Sequence, residues 1–497
     1  MCDSYDEQCL KFAGRIQKIE PSRHISDVWR AIVVISACRL SNVACNASEI
    51  AETREERMNF ELSQFHNRED ALNLCEDLMD FCHVNAGMDV LGTIYSLLSS
   101  EDKQKGQYFT PNSISTLVSE LTFEPEFVKK EVELSGCVNV LDPTCGSGAL
   151  LLASAKKFVD SGYDTDRFCL FGQDLDELSA LMCYVQMSAN HYSGAIYVGD
   201  TLEDPAAFCI NEKDDISLEE KGKIWLTPEF RRIRKDIKNI CGKFGMAVLN
   251  PPYSASWSAN DKYKDDERFA GFDRLAPKSK ADFAFLLHGY HNLAAGGTMA
   301  VVLPHGVLFR GAAEEVIRKE LLNSGAFYTV IGIPDKMFTS TSIPTCILVM
   351  KKGRNEQCVL FIDASGMYEK QKRNVMLPEH VAEVLHLYRE RDFVSGKAAL
   401  VSFDTIQQND YNLNIPRYVN SFEPEEEIDI GVLADSIART KVEISRIELN
   451  LAEQMSQLVC SDPKDDEDMK KLAFSLMYGN KELDEAETQF LMKIGEI

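Results

Sequence analysis

The sequence predicts an α/β chain: a mostly parallel sheet covered by helices on both faces, with a helical segment before it and an acidic helical tail after it. Three observations carry this. From Gly106 onward, short β-rich apolar runs alternate with helical stretches. Residues 1–100 instead place apolar residues at helical spacing, with little strand-like alternation. Residues 421–497 hold 19 acidic against 8 basic residues, a net −11 in a chain whose total is −25. The expected division is a helical domain over 1–100, a sheet domain over 101–420, and an acidic helical region over 421–497.

Taken in order, Val28–Leu40 and Ala71–His83 read as helices, and Glu101–Gly106 as a charged link. Strands are expected at Val138–Leu141, Phe168–Gly172, Ile196–Val198, Met246–Leu249, Met299–Leu303, Thr329–Ile333 and Cys346–Met350. Helices fall between most of them, at Ala149–Val159, Glu177–Asn190, Ala281–Ala295 and Ala312–Leu322. Only the turn-rich Pro334–Thr345 separates the last two strands. It is too short for a helical crossover, so an antiparallel pair at one sheet edge is expected. Asp204–Cys241 reads as a charged insertion and Tyr253–Lys280 as a long polar loop. Leu377–Arg391, Ile428–Val459 and Lys470–Ile497 read as helices, the last two split by the acidic run Asp462–Asp468.

Composition narrows the class. The 497 residues are 45% apolar and 26% charged, which suits a globular protein of several domains. No apolar run reaches the ~18–20 residues of a membrane helix, and the acidic N-terminus lacks a signal peptide's basic region. Fifteen scattered cysteines without a CxxC pair or zinc spacing read as reduced thiols of a cytoplasmic protein, with no metal site expected. The net charge argues against a nucleic-acid binder, although an acidic chain can still grip DNA through a local basic cleft or a basic partner.

Four strand ends carry chemistry. Val138-Asn-Val-Leu-Asp-Pro-Thr-Cys-Gly-Ser-Gly-Ala runs a strand to Asp142, then a turn through Pro143, Gly146, Ser147 and Gly148, then a helix from Ala149. The glycines permit a sharp turn and close ligand approach, and the helix start offers free N–H groups, as in a nucleotide cradle. Alone, the segment is also an ordinary strand–turn–helix junction. Asp174, ending the next strand, is placed to accept from ribose hydroxyls, or to cap a helix; Asp176 is the better cap. Asp200, after the third, is placed for a cofactor's adenine amino group or for a turn. The third motif is Asn250-Pro-Pro-Tyr, directly after Met246–Leu249. Pro251 and Pro252 stiffen the loop. The Asn250 amide oxygen and the Pro251 carbonyl give two acceptors, and Tyr253 an aromatic face, which together suit an exocyclic amino group on a flat base.

These motifs resemble the N6-adenine methyltransferases of DNA, most closely the modification subunit of type I restriction-modification systems. The resemblance extends upstream to Gly106-Gln-Tyr-Phe-Thr-Pro and to Asp89-Val-Leu-Gly-Thr-Ile-Tyr. Downstream it takes in Ala281-Asp-Phe-Ala-Phe, Gly296 through Gly311, Val330-Ile-Gly-Ile-Pro-Asp and Tyr411-Asn-Leu-Asn-Ile-Pro-Arg-Tyr, covering about Gly106 to Tyr418. It implies a class I S-adenosylmethionine-dependent methyltransferase (Rossmann-like) sheet with an N-terminal helical domain and a C-terminal helical tail. It implies S-adenosylmethionine as cofactor, held by Gln107, Tyr108, Phe109, Thr110, Pro111, Asn112, Asp142, Pro143, Gly146, Ser147, Gly148, Ala149, Asp174 and Asp200. It further implies methyl transfer to N6 of a flipped adenine at Asn250, Pro251, Pro252 and Tyr253, with Phe338 a candidate for the base's second face. The implied partners are DNA, a specificity subunit docked on the tail, and a restriction subunit. Basic residues that can meet phosphates are Arg231, Arg232, Arg234, Lys235 and Lys238, then Lys262, Lys264, Arg268, Arg274, Lys278 and Lys280. Competing readings are a solitary DNA or RNA adenine methyltransferase, a protein glutamine methyltransferase, which also uses Asn-Pro-Pro-Tyr, and a non-catalytic assembly subunit.

Overall fold

The computed structural model describes residues 4–42, 49–99, 110–206, 222–233, 243–338, 342–354, 356–371, 373–420, 430–459 and 461–478. Among the described residues, the helices α1 (Tyr5–Ile19), α2 (Ile25–Asn42), α3 (Glu49–Leu62), α4 (Arg68–Val84) and α5 (Val90–Leu98) come first. Ser4 and Glu7 form a capping box that starts α1. Two more, α6 (Asn112–Thr122) and α7 (Pro125–Ser135), lead into the sheet, and α7 stops at Gly136 in a left-handed C-cap.

The sheet region alternates as its sequence predicts. It runs β1 (Val138–Asp142), α8 (Ala149–Asp160), β2 (Phe168–Asp174), α9 (Glu177–Ala189), β3 (Gly194–Val198), β4 (Ile224–Leu226), α10 (Pro228–Ile233) and β5 (Phe244–Leu249). Then follow α11 (Asp282–Asn292), β6 (Leu293–Pro304), α12 (Ala313–Asn323), β7 (Phe327–Gly332), β8 (Thr345–Lys351), β9 (Cys358–Asp363), β10 (Glu369–Lys370) and β11 (Asn374–Val375). The unit ends with α13 (Pro378–Glu390), β12 (Ala398–Ser402) and α14 (Phe403–Gln408). Among the described residues, ten strands form one sheet in the order β12-β9-β7-β8-β6-β5-β1-β2-β3-β4, while β10 and β11 make a separate hairpin.

Neighbours from β3 to β6 are all parallel, so the carboxyl ends of β1, β2, β3 and β5 share one edge of the sheet. Alternate residues feed two cores. Val138, Val140, Phe168 and Leu170 belong to one, Leu141, Cys169, Phe171 and Leu249 to the other. With both faces covered, the central strands are near-continuously apolar rather than alternating.

The structure corrects four local expectations. β7 and β8 are antiparallel, but β8 lies inside the sheet between β6 and β7, not at its edge. Beyond β7, β9 and β12 extend the sheet, neither expected from sequence. The Asp204–Cys241 insertion contributes the edge strand β4 and α10, with Trp225 buried. In the tail, α15 (Ile430–Ser456) and α16 (Pro463–Tyr478) are separated before the acidic run, most of which lies inside α16.

The helices of residues 1–100 pack on the sheet domain through α9, which contacts α2, α4 and α5. Arg54 of α3 lies 4.1 Å over the Trp225 ring and donates to the Ile224 carbonyl at 3.2 Å, covering the edge strand. Residues 1–421 form one compact unit and residues 422–497 a second. Among the described residues no helix is long and apolar enough to cross a membrane.

Candidate active site

The strand-end loops meet around a cavity of about 520 Å³. Its lining includes Thr110, Asp142, Pro143, Gly146, Ser147, Ala149, Asp174, Asp200, Asn250 and Pro252, drawn from the ends of β1, β2, β3 and β5 and the segments after them, and from Thr110 upstream. Pro111 and Asn112 start α6, with Pro111 at the N-cap rather than inside the first turn. Gln107, Tyr108 and Phe109 lie outside the described residues.

The cradle is built by backbone hydrogen bonds. Asp142 Oδ1 accepts from the Thr144 N–H at 3.0 Å, and Cys145 N–H donates to the Gln173 carbonyl at 2.9 Å. Gly146 N–H donates to Asp174 Oδ2 at 2.9 Å, locking the loop of β1 to the end of β2. Gly148 has φ +103, and a Cβ there would lie 2.7 Å from Cys183 Sγ, so both backbone and space require glycine. The Cys145 sulfur fills the space over Gly172, a packing role.

Burial pushes the Asp142 carboxyl up to about 8 and Asp174 up to about 6. Asp176 Oδ2 accepts from Ser179 N–H at 3.0 Å, so Asp176 caps α9 and Asp174 is left facing the cavity. Asp200 Oδ1 accepts from Leu202 N–H at 2.8 Å and Glu203 N–H at 3.2 Å; it is a turn residue that also lines the cavity.

At the end of β5 the Asn250 amide is pinned on both sides. Its Nδ2 donates to Thr110 Oγ1 at 2.8 Å, and its Oδ1 accepts from the Tyr253 hydroxyl at 2.8 Å. Segments 140 residues apart therefore close on one amide. Pro251 and Tyr253 are buried; Phe338, also buried, meets the Tyr253 ring edge-on, with centroids 6.0 Å apart and planes at 90°.

Sequence reasoning missed several contributors. Trp257 and Phe285 add aromatic surface to the cavity, and Thr201 and Leu202 complete it beside Asp200. A tryptophan seven residues past Asn250 in an otherwise polar loop was the available signal. That loop is not an open polar strap: Trp257, Tyr263 and Phe269 cluster with centroids 5.0–5.9 Å apart. Arg268, expected to meet phosphates, is buried inside it. Its guanidinium pairs with Asp266 at 2.7 Å and donates to the carbonyls of Thr201 at 2.9 Å and Leu202 at 2.8 Å. Lys262 and Lys264 pair with Glu203 and Asp261, while Arg232, Arg274 and Lys278 are exposed. Arg234, Lys235 and Lys238 lie outside the described residues.

The Asp89 motif also finds its place. Asp89 is half-buried and accepts from Ser147 Oγ, from Gln186 Nε2 at 2.9 Å and from Gly92 N–H at 2.9 Å, and desolvation raises its carboxyl. It ties the start of α5 to the cradle.

A family model described as N-6 DNA Methylase matches residues 86–427. The type I restriction enzyme MpnII methylase subunit of Mycoplasma pneumoniae is 33% identical over 359 residues, covering 70% of this chain and 60% of that protein. The type I restriction enzyme MjaVIII methylase subunit of Methanocaldococcus jannaschii is 28% identical over 374 residues, covering 71% and 57%. The chain thus spans about 60% of the length of the curated relatives it matches. Among solved structures, the type I restriction-modification methyltransferase subunit from Streptococcus thermophilus superposes with a TM-score of 0.60 at 27% identity, covering 84% of this chain and 99% of that one.

Proposed function

The chain belongs to the N-6 DNA methylase family, and from that premise we propose that it transfers a methyl group from S-adenosylmethionine to N6 of adenine in DNA, as the modification subunit of a type I-like restriction-modification system. One observation carries the reading: the Asn250 amide stands at the carboxyl end of β5, on the rim of the cavity built by β1 and β2.

The cavity suits the cofactor. Its volume falls within the roughly 300–1,000 Å³ of small-molecule sites, and it joins strand-end carboxylates to apolar surface from Trp257 and Phe285. Gly146, at φ +52, leaves open space where a side chain would stand. Asp174 would hold the ribose hydroxyls, Asp200 and its turn the adenine end, and Thr110 through Asn112 the methionine end together with Gln107, Tyr108 and Phe109. S-adenosylmethionine, when bound, supplies an electrophilic methyl on a sulfonium.

The residues of this chain do the positioning. An aromatic amine is a poor nucleophile because its lone pair is delocalised into the ring. Asn250 Oδ1 keeps one lone pair free of the Tyr253 hydroxyl, and with the Pro251 carbonyl it accepts from the amine and favours a tetrahedral nitrogen. Thr110 holds the Nδ2 side of the amide, so the oxygen faces the substrate. The proton leaves after transfer, and no strong base is needed. The target base leaves the duplex to reach this depth, and Tyr253 offers it a face once the edge-on contact with Phe338 opens.

Within this reading residues 1–100 support the cradle, 101–420 catalyse, and 421–497 dock a specificity subunit in a reducing, cytoplasmic setting. The test is transfer of radiolabelled methyl from S-adenosylmethionine to DNA, with and without a co-expressed specificity subunit, alongside Asn250→Ala. Label at adenine N6 that requires the partner and disappears in Asn250→Ala supports the proposal. Label on DNA without a partner indicates a solitary enzyme, and label on protein alone overturns the substrate.

A further inference from the structure

Two family-like stretches, Ala281-Asp-Phe-Ala-Phe and the one ending at Arg310-Gly311, enter the chemistry above only through Phe285. They meet beneath the catalytic loop. Ser254, directly after Tyr253, sits at φ +51, a conformation that residues with a side chain rarely adopt. Its N–H donates to Asp282 Oδ1 at 2.7 Å, and the next residue, Ala255, accepts from the Ala281 N–H at 2.8 Å. Asp282 is fully buried in the first turn of α11. Its other oxygen accepts from Arg310 Nη1 at 2.8 Å, and Arg310 also reaches the buried Glu314 at 3.3 Å. Gly306 makes the room: a Cβ there would lie 2.4 Å from Arg310 Nε.

A buried carboxylate persists only if its charge is paired and its lone pairs are used. Arg310 supplies the pairing on one oxygen, which leaves the other as a fixed, charged acceptor for one backbone N–H. We propose that Asp282, balanced by Arg310, is a positioning residue that holds the left-handed turn after Tyr253 and so aims the Asn250 amide. This rests on the reading of Asn250-Pro-Pro-Tyr as the catalytic loop. The dyad itself touches neither substrate nor cofactor; it acts through Ser254.

The test compares Asp282→Ala and Asp282→Asn in the full chain with whatever partner supports wild-type transfer. Displacing a reacting group by about 1 Å can cost ~100-fold in rate, and a kcat loss of that order is expected for Asp282→Ala. S-adenosylmethionine affinity, read by calorimetry, should stay within about threefold, because Gly146 and Asp174 are untouched. Asp282→Asn keeps an oxygen for the Ser254 N–H and should recover most of kcat. Unchanged kcat in Asp282→Ala overturns the proposal, as does an equal loss in both variants or a parallel loss of cofactor affinity. If Asp282→Ala does not fold, Arg310→Gln removes the balancing charge from a half-buried position while leaving the Ser254 backbone untouched. It should reproduce the kcat loss, and wild-type kcat there overturns the proposal. A wild-type chain inactive on DNA removes the functional reading, and this inference with it, before any variant is scored.

Discussion

Asp174 accepts backbone N–H groups on both oxygens, from Gly146 and from Asp176, each at 2.9 Å, while burial pushes its carboxyl up to about 6. A ribose hydroxyl donates more strongly to the carboxylate than to the neutral acid, so protonation weakens ligand binding. The share of S-adenosylmethionine affinity that Asp174 supplies is therefore expected to be flat above about pH 6. Below it, affinity should weaken by up to about tenfold per pH unit, as one-proton linkage requires. Calorimetric Kd values between pH 5 and 8 would read this, and Asp174→Asn should bind weakly with no break at pH 6. A Kd constant down to pH 5 would remove Asp174 from the cofactor contact. The unliganded fold carries the opposite sign. Asp142 and Asp174 both bind protons more tightly folded than unfolded, so their contribution to stability declines as pH rises from the ordinary carboxylate range through about 6 and then about 8.

At the scale of elements, the loop between β5 and α11 shows how far sequence could be read. Its motif, Asn250-Pro-Pro-Tyr, was legible because the chemistry is local: an apolar strand, two prolines, an amide and a ring. Its interior was not, because Arg268 looks like any surface cation until the fold brings Asp266 and the carbonyls of Thr201 and Leu202 around it. The same distinction runs through the sheet. β1, β2, β3 and β5 through β8 were visible as apolar runs between helices. β4 is three residues inside a charged stretch, stabilised by Arg54 some 170 positions away. β12 is an edge strand whose Leu400 and Ser402 face out, which thins its apolar signal. The position of β8 depends on which strand it joins, and that is decided by partners distant in sequence. Arg268 gives the prediction at this scale. Arg268→Met breaks a buried pair and frees two carbonyls, so a loss of about 3 kcal/mol in stability is expected, with weaker cofactor binding because Thr201 and Leu202 line the cavity. Lys262→Met, removing an exposed ion pair with Glu203, should leave the thermal midpoint unchanged. Equal effects of the two substitutions in thermal melts would contradict the buried role.

At the scale of the whole molecule, every cavity residue lies in the unit of residues 1–421, and residues 422–497 form a unit of their own. The second unit is a helical pair, α15 against α16, with Ala452 and Ala473 buried. Most of the apolar surface on α15 is nevertheless exposed. Ile430, Leu433, Ile437, Ile444, Ile447 and Leu451 follow the three-four spacing of a helix seam, and all face solvent. An exposed seam of this length is a liability unless another helix covers it. On the reading above, a specificity subunit covers it, which also explains how an acidic chain acquires its grip on DNA. Ending the chain at residue 421 is therefore expected to leave cofactor affinity and the main melting transition in place while abolishing co-purification with the specificity subunit. Ile447→Asp, which puts a charge in the middle of the seam, should weaken that association without altering cofactor binding. A shortened chain that still carries the partner through gel filtration would move the docking surface elsewhere. One that no longer binds S-adenosylmethionine would show that the cradle depends on the tail.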